Sequence, residues 1–167
     1  VTCGLCRDCL EGRSNLCAAR QIISMAPRQG AFAQYLAIPE RNLIPVPEGM
    51  DINRAALAEP LATGWHAVDV ASQAARRPLA ESRALVFGAG AVGLAAALAL
   101  RAQGCVDIAI SETNPLRRET ATVAGFGNVF DPRNDAGPRP NSIDVVVDCV
   151  GGRATRIEAS ATVRPGG

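Results

Sequence analysis

Several residue types are scarce or missing in this 167-residue chain. All 17 basic residues are arginine, only 4% of the residues are aromatic, and there is a single histidine. Because 16 acidic residues leave a net charge of +1, nothing draws the chain in general to nucleic acid or to an acidic membrane. No apolar run reaches the roughly 18–20 residues that span a bilayer. The 48% of hydrophobic residues are instead enough for the core of a soluble globular protein.

The chain ends and the cysteines indicate what kind of segment this is and in which cellular compartment the protein is expected. The chain starts at Val1 and finishes on Arg164-Pro-Gly-Gly, so we expect an internal piece of a longer protein. Four of the six cysteines lie in the first 17 residues. With no recognisable secretory leader, such clustering favours reduced, metal-binding thiols over disulfides. We therefore expect a cytoplasmic protein.

The spacing of the clustered cysteines is typical of a structural zinc site. Cys3, Cys6 and Cys9 are separated by two-residue gaps, and Cys17 follows after seven more residues. Four thiolates with no open position describe a closed tetrahedral Zn²⁺ site, which can fold a lobe that has little apolar core of its own. An iron–sulfur cluster is the alternative, but a ferredoxin run continues with a three-residue gap and Cys-Pro, whereas Ala18 follows Cys17.

Hydrophobic periodicity divides the rest of the chain into two kinds of segment. Segments Gly30–Ile38 and Asn42–Pro47 alternate like strands, and Asp51–Ala71 has helical spacing, with Pro60 expected to kink that helix or begin a second one. Beyond Pro78, helices alternate with short apolar runs, which predicts a parallel α/β sheet. The predicted strands are Arg83–Phe87, Val106–Glu112, Asn128–Phe130 and Ile143–Val150, the predicted helices are Ala91–Gln103 and Pro115–Ala124, and residues 131–141 are predicted to form a loop.

A glycine-rich turn joins the first of these strands to its helix. Gly88, Gly90 and Gly93 form a G-x-G-x-x-G motif directly after the apolar run Ala84–Phe87. The first glycine permits the tight turn, the second lets backbone approach a pyrophosphate, and the third lets the helix pack on the strand. The free N–H groups at the start of the helix would face the phosphates. The motif predicts a dinucleotide-binding site.

An acidic residue stands where the adenosine ribose would be recognised. Glu112 ends the next strand, 24 residues after Gly88. A carboxylate there accepts hydrogen bonds from both ribose hydroxyls and repels a 2′-phosphate, which favours NAD over NADP. Arg117 is close enough to cover the adenine or to attract a phosphate, so NADP stays an alternative. At the end of the fourth strand, the backbone of Val150 and Gly151 is expected to border the cofactor.

Together these motifs resemble the zinc-containing medium-chain dehydrogenases, in particular the sorbitol, iditol, idonate and butanediol dehydrogenase branch. The resemblance covers essentially the whole chain. It depends on the cysteine lobe, the glycine turn and three further segments, which are Gly30–Leu36 (GAFAQYL), Ala58–Ala62 (AEPLA) and Arg164–Gly167 (RPGG). It implies part of a GroES-like, β-rich catalytic domain with the zinc lobe over residues 1–50, connecting helices over 51–80, and the first half of a Rossmann, doubly wound parallel sheet over 81–167.

The resemblance also implies roles for individual residues. Glu59 would face a catalytic zinc, either as a ligand or through a water molecule, and Thr63 would lie against the nicotinamide. Ala91 and Val92 of the glycine turn would contact the pyrophosphate, and Glu112 and Arg117 the adenosine ribose. The other catalytic ligands, a Cys and a Gly-His-Glu segment, are expected before Val1, so we expect the chain alone to bind zinc without turning over substrate.

For the parent enzyme the resemblance implies oxidation of a secondary alcohol within a polyol, sugar acid or diol. Hydride passes to NAD, with Lewis-acid assistance from a catalytic zinc. The small-molecule alcohol would be the main partner, with no nucleic acid or membrane, in a homodimer or homotetramer. Two alternatives remain: a zinc-free quinone or enoyl reductase, and a non-catalytic zinc- and nucleotide-binding module.

Overall fold

A computed structural model describes residues 1–167, which divide into two units, Val1–Ile52 and Asn53–Gly167. The first unit holds a short helix, α1 (Arg7–Leu10), and two 3₁₀ turns, Ser14–Leu16 and Glu40–Asn42. Only Cys17 is buried among its hydrophobic side chains. This unit therefore has almost no apolar core of its own.

The two strands predicted in the first unit are wrong. Neither Gly30–Ile38 nor Asn42–Pro47 forms a strand, and the second segment begins inside a 3₁₀ turn. Side chains that the alternation predicted to be half-buried are exposed, with Phe32 and Tyr35 almost fully accessible. The physical reason is that alternation produces a strand only where a neighbouring strand completes the hydrogen-bond ladder, and no strand of the structure lies beside these segments.

The second unit is built on a four-stranded parallel sheet in the order β3-β2-β1-β4. The strands are β1 (Arg83–Phe87), β2 (Asp107–Ser111), β3 (Asn128–Phe130) and β4 (Val145–Asp148). All four predicted strands are confirmed, to within two residues at their ends. The order reverses between β1 and β4, because the chain builds outward to β3 and then returns to the other side of β1. In open α/β sheets, ligands bind at such a reversal, outside the carboxyl ends of the strands.

Helices cover both faces of this sheet. The helices are α2 (Ile52–Ala55), which begins at the last residue of the first unit, and, within the second unit, α3 (Ala58–Ala74), α4 (Ala91–Ala102), α5 (Pro115–Val123) and α6 (Arg153–Thr162). Val86 and Ile110 belong to a core cluster shared with α3, α4 and α5. Their neighbours Leu85 and Phe87 point to the opposite face, in a cluster against which Ala159 of α6 packs. Burial on both faces explains why β1 is apolar at consecutive positions instead of alternating.

Helix α3 packs directly on α4, and a glycine sets how closely. A Cβ atom added to Gly64 would lie 2.6 Å from backbone atoms of Ala95 and Ala96. Nearer the helix starts, Leu57 and Leu61 line a small apolar pocket of about 140 Å³ with residues of α4 that include Leu94. The first turns of the two helices therefore lie side by side.

Two features of the helices differ from prediction. The helical segment expected over Asp51–Ala71 is divided in two, as one of the alternatives for Pro60 allowed, but the second helix begins at Ala58, so that Pro60 is the third residue of α3, inside its first turn where missing N–H groups are tolerated. Helix α6 was not predicted at all. None of the helices combines the length and the apolar character that a membrane-spanning segment requires.

Candidate metal and nucleotide sites

The four clustered cysteines converge on one point of the first unit. The Sγ atoms of Cys3, Cys6, Cys9 and Cys17 all lie within 4.8 Å of one another, and those of Cys3 and Cys9 are 4.0 Å apart. Sulfurs bound to one tetrahedral zinc at about 2.3 Å would be separated by about 3.8 Å. No other group of three or more potential metal-binding side chains occurs in the structure. The cage therefore fits a zinc ion in donor type, number and spacing.

Backbone N–H groups donate hydrogen bonds to sulfur atoms of this cage, which favours the ionised thiolate form. The N–H groups of Leu5 and Cys6 donate to Cys3 Sγ over 3.4 and 3.3 Å, and the N–H of Cys3 donates to Cys17 Sγ over 3.4 Å. The bonds from Leu5 and Cys6 lower the pKa of the Cys3 thiol to about 6. Burial raises the pKa of the Cys9 thiol to about 11. A metal ion would therefore bind the Cys3 sulfur, which ionises readily, and would displace the proton of the Cys9 thiol.

The glycine turn has the geometry that its three glycines predict. Gly88 has a φ of +91°, a left-handed conformation that side chains disfavour. A Cβ atom on Gly93 would overlap the carbonyl oxygen of Gly88. Gly90 is the N-cap of α4, and the N–H of Leu94 donates to its carbonyl oxygen. Ala91 and Val92 follow in the exposed first turn of α4, where backbone N–H groups have no partner within the helix.

Glu112 lies against this glycine turn. Its side chain is only 6% exposed, and its two carboxylate oxygens accept hydrogen bonds from the N–H of Ala89 over 2.8 Å and of Asn114 over 2.7 Å. Burial disfavours its ionised form, but these two bonds and the nearby Arg117 outweigh burial and lower the pKa of Glu112. The carboxylate is therefore ionised at neutral pH and connects the end of β2 to the glycine turn.

Arg117 lies close to both Glu112 and the glycine turn. Its guanidinium is 3.9 Å from the Glu112 carboxylate and about 3.8 Å from the point where a Cβ atom on Gly90 would be. The start of α5 that carries Arg117 is fixed by Asn114, whose side chain accepts hydrogen bonds from the N–H groups of Leu116 and Arg117. The Glu112 carboxylate and the Arg117 guanidinium thus lie beside the glycine turn, which leads into the uncapped start of α4.

Three charged residues beside this site were not predicted as functional. Asp131, directly after β3, is 4% exposed and lies 3.2 Å from Arg118 and 2.7 Å from Arg133. Hydrogen bonds from Arg133 lower the pKa of Asp131 well below its usual range. Arg118 also donates to the backbone oxygens of Glu112 and Thr113. The only signal in the sequence was an acid directly after a strand, which the loop prediction for residues 131–141 overlooked.

The end of β4 forms the remaining side of the turn. A Cβ atom on Gly88 would lie 3.0 Å from a methyl group of Val150. The N–H groups of Val150 and Gly151 donate to the Asp148 carboxylate, which also accepts a bond from the Thr155 hydroxyl. Val150 and Gly151, both exposed, therefore border the glycine turn in an arrangement that Asp148 fixes.

Glu59 and Thr63 lie one turn apart near the start of α3. Both are exposed, and the Thr63 hydroxyl donates to the Glu59 carboxylate over 3.3 Å. Helix packing places this first turn of α3 beside the first turn of α4. Glu59 has no further potential metal-binding side chains clustered around it, so its role at a catalytic zinc stays a prediction.

Comparison with known proteins identifies the family. Residues 1–48 match the alcohol dehydrogenase GroES-like domain. The whole chain aligns at 34% identity with 48% of the sorbitol dehydrogenase of Bacillus subtilis (strain 168). The chain belongs to the medium-chain dehydrogenase family.

Solved medium-chain dehydrogenases share the fold described above. A protein from Sinorhizobium meliloti 1021, solved with NADP, superposes with a TM-score of 0.84 at 30% identity, covering 100% of this chain and 50% of that one. Acetophenone reductase from Geotrichum candidum NBRC 4597, solved with NAD, gives a TM-score of 0.81 at 28% identity, covering 98% of this chain and 46% of that one. The chain thus spans about half the length of these relatives. Its parallel α/β sheet is part of a Rossmann fold, and residues 1–48 belong to a GroES-like domain.

Proposed function

We propose that this chain is the nucleotide-binding and structural-zinc part of an oxidoreductase that oxidises secondary alcohols with NAD. The observation that carries the proposal is the buried, ionised carboxylate of Glu112, hydrogen-bonded to the N–H of Ala89 within a G-x-G-x-x-G turn. That carboxylate lies against the glycine turn, which follows β1 where the strand order reverses between β1 and β4, the position at which such sheets bind nucleotides. When bound, the nicotinamide supplies the hydride acceptor.

The same carboxylate supports NAD over NADP. Each carboxylate oxygen accepts one hydrogen bond from the backbone, and the oxygen bonded to Asn114 also accepts a long bond of 3.5 Å from the Thr113 hydroxyl. The oxygen bonded to Ala89 keeps a lone pair for a ribose hydroxyl, and a second ribose hydroxyl could replace the Thr113 hydroxyl on the other oxygen. An anion that backbone N–H groups hold in place cannot turn away from a 2′-phosphate, and the repulsion would disfavour NADP. Arg117 would lie over the pyrophosphate or the adenine, where its positive charge is favourable with either cofactor.

The cysteine cage supports a structural role for zinc. Four sulfurs leave no open coordination position for a substrate, and the surrounding unit has almost no apolar core that could hold it together without a metal. We propose that Zn²⁺ bound by Cys3, Cys6, Cys9 and Cys17 stabilises this lobe and takes no part in hydride transfer.

Glu59 and Thr63 form the side of the site next to the nicotinamide in this proposal. The hydrogen bond from Thr63 orients the Glu59 carboxylate, which would face a catalytic zinc, and that ion would supply the Lewis acidity that alcohol oxidation requires. The substrate would be a polyol, sugar acid or diol, as the similarity to sorbitol dehydrogenase suggests. We further propose a cytoplasmic homodimer or homotetramer.

The proposal is tested with the full protein. We expect reduced nicotinamide, measured by its absorbance, to form from NAD and at least one member of a panel of polyols, sugar acids and diols. Metal analysis should find zinc. Turnover without zinc would instead identify a zinc-free reductase, and nucleotide binding without turnover on any alcohol would identify a non-catalytic module.

A matched pair of variants tests the role of Glu112. Glu112→Gln should raise the dissociation constant of NAD by about tenfold or more, since a hydrogen bond to a charged acceptor contributes roughly 1.5–3 kcal/mol and 1.4 kcal/mol is a factor of about ten. Glu119→Gln removes the same charge from an exposed position of α5 and should leave the constant unchanged. An unchanged affinity in Glu112→Gln, measured by calorimetry, would contradict the proposed nucleotide site.

A further inference from the structure

The buried carboxylate of Asp131 is shared between two arginines. Arg133 donates to it from Nε over 2.9 Å and from an Nη atom over 2.7 Å, and Arg118 is 3.2 Å away. Asn134 contributes a further bond over 3.3 Å. At 4% exposure, Asp131 is the anion that compensates both guanidinium groups on this side of the sheet.

Both arginines also hold the turn that carries Glu112. Arg118 donates to the carbonyl oxygens of Glu112 and Thr113 over 2.9 and 2.8 Å. Arg133 donates to the carbonyl oxygen of Thr113 over 2.6 Å. Asp131 is therefore separated by a single guanidinium group from the backbone of the turn where the adenosine ribose would be recognised.

The charges around the turn that carries Glu112 are balanced. Arg117, Arg118 and Arg133 contribute three positive charges, and Glu112, Asp131 and Asp135 contribute three negative ones, with the Asp135 carboxylate hydrogen-bonded to the N–H of Asp131 over 2.8 Å. Neutralising Asp131 would leave three guanidinium groups against two carboxylates. A 2′-phosphate carries about two negative charges and is attracted to such an excess, whereas the ribose hydroxyl of NAD is uncharged.

We propose that Asp131 is a specificity-determining residue that keeps the cofactor site selective for NAD by neutralising Arg118 and Arg133 behind the Glu112 turn. The inference rests on the proposed nucleotide-binding function and deepens it. Glu112 excludes the 2′-phosphate directly, and Asp131 removes the arginine charge that would otherwise attract it. Asp131 acts through the two arginines and does not itself touch the cofactor.

The test compares NAD and NADP affinities in the full protein by calorimetry. In Asp131→Asn, the NADP-to-NAD affinity ratio should rise about fivefold at low salt, the effect of one unit charge roughly 8 Å from a dianion in water. The gain should disappear near 1 M salt, where the Debye length falls to about 3 Å. Asp107→Asn breaks the Arg83–Asp107 ion pair at the opposite end of the sheet and should leave the ratio unchanged.

A second variant changes the charge in the opposite direction. Arg133→Gln leaves Asp131 paired with Arg118 alone, so the NADP-to-NAD ratio should fall about fivefold at low salt. Opposite shifts in the two variants cannot come from general loosening of the turn. The role of Asp131 would be overturned by an NADP-to-NAD affinity ratio that stays constant in both variants, or by shifts in this ratio that are the same at low and high salt. In either case, binding of NAD by the wild-type protein would still support the proposed function. A wild-type protein that binds neither nucleotide would overturn both.

Discussion

Gly64 provides a strict test of how α3 is packed on α4. Replacing it with alanine adds one methyl group in the interior of a 17-residue helix. By helix propensity alone this change should stabilise the protein by about 1 kcal/mol, because alanine is the best helix former and glycine one of the worst. The structure predicts the opposite sign.

The opposing effect is a steric clash between the new methyl group and the backbone of α4. The new Cβ would lie 2.6 Å from the carbonyl carbon of Ala95 and from the nitrogen of Ala96. Overpacking a core costs typically 1–3 kcal/mol, and this case belongs at the upper end because backbone atoms cannot rotate away. Subtracting the gain in propensity leaves a net destabilisation of about 2 kcal/mol. For a chain of this size the melting temperature should fall by roughly 4–8 °C.

Urea unfolding at equilibrium measures this difference directly. The matched control is Ala62→Gly, on the exposed surface of the same helix, which should lose about 1 kcal/mol through propensity alone. Gly64→Ala should also weaken NAD binding, since the helices can separate only by moving the start of α4 and its glycine turn. A Gly64→Ala variant as stable as the wild type, or more stable, would refute the close packing of the two helices.

Three other variants test the remaining parts of the site. Cys17→Ser should remove the cage zinc, lowering the zinc content by one equivalent and the melting temperature with it, whereas Cys105→Ser, at a buried cysteine outside the cage, should keep the metal. The hydrogen bonds of Asp148 overcome its burial and lower its pKa, so its stabilising contribution is complete above the unfolded pKa of about 3.9 and is lost as the pH falls below it. The urea midpoint of Asp148→Asn should therefore lie below that of the wild type at pH 7 and approach it near pH 3, and a gap independent of pH would contradict this assignment. Glu59→Gln should lower kcat by about tenfold or more with the NAD dissociation constant unchanged, whereas Thr63→Val, which removes the orienting hydrogen bond but keeps a side chain of the same shape beside the nicotinamide, should have a smaller effect. Equal kcat values in the wild type, Glu59→Gln and Thr63→Val would exclude Glu59 from the reaction.

The sheet was predictable because its signals are local. The strands are short runs between loops, β1 and β2 are buried on both faces over four consecutive residues, and β1 and β3 match their predicted bounds. The requirement for Gly88 and Gly93 is also local, since it comes from a turn of only a few residues. The first unit lacks such signals, and the alternation over Gly30–Ile38 could not indicate whether a partner strand lies beside it.

Helix α6 was missed because its signal is weak, as Ile157 is the only large apolar residue over Arg153–Thr162 and the other residues are small, polar or charged. The helix is fixed by packing of Ala159 on the sheet and by the Thr155 bond to Asp148, both of which depend on the folded arrangement. Gly64 was missed for a related reason. The atoms it must avoid are about thirty positions away along the chain.

The sequence by itself determined the parts of the molecule whose chemistry lies within a few residues: four thiols at metal-binding spacing, a glycine turn between strand and helix, and an acid at the end of the next strand. Only the tertiary structure decided how distant side chains combine. It placed the Glu112 carboxylate on the N–H of Ala89, and it put Asp131 between two arginines that hold the same turn. Parallel strands bring their carboxyl ends to one edge regardless of their separation in sequence, so charges that no local pattern connects become neighbours there.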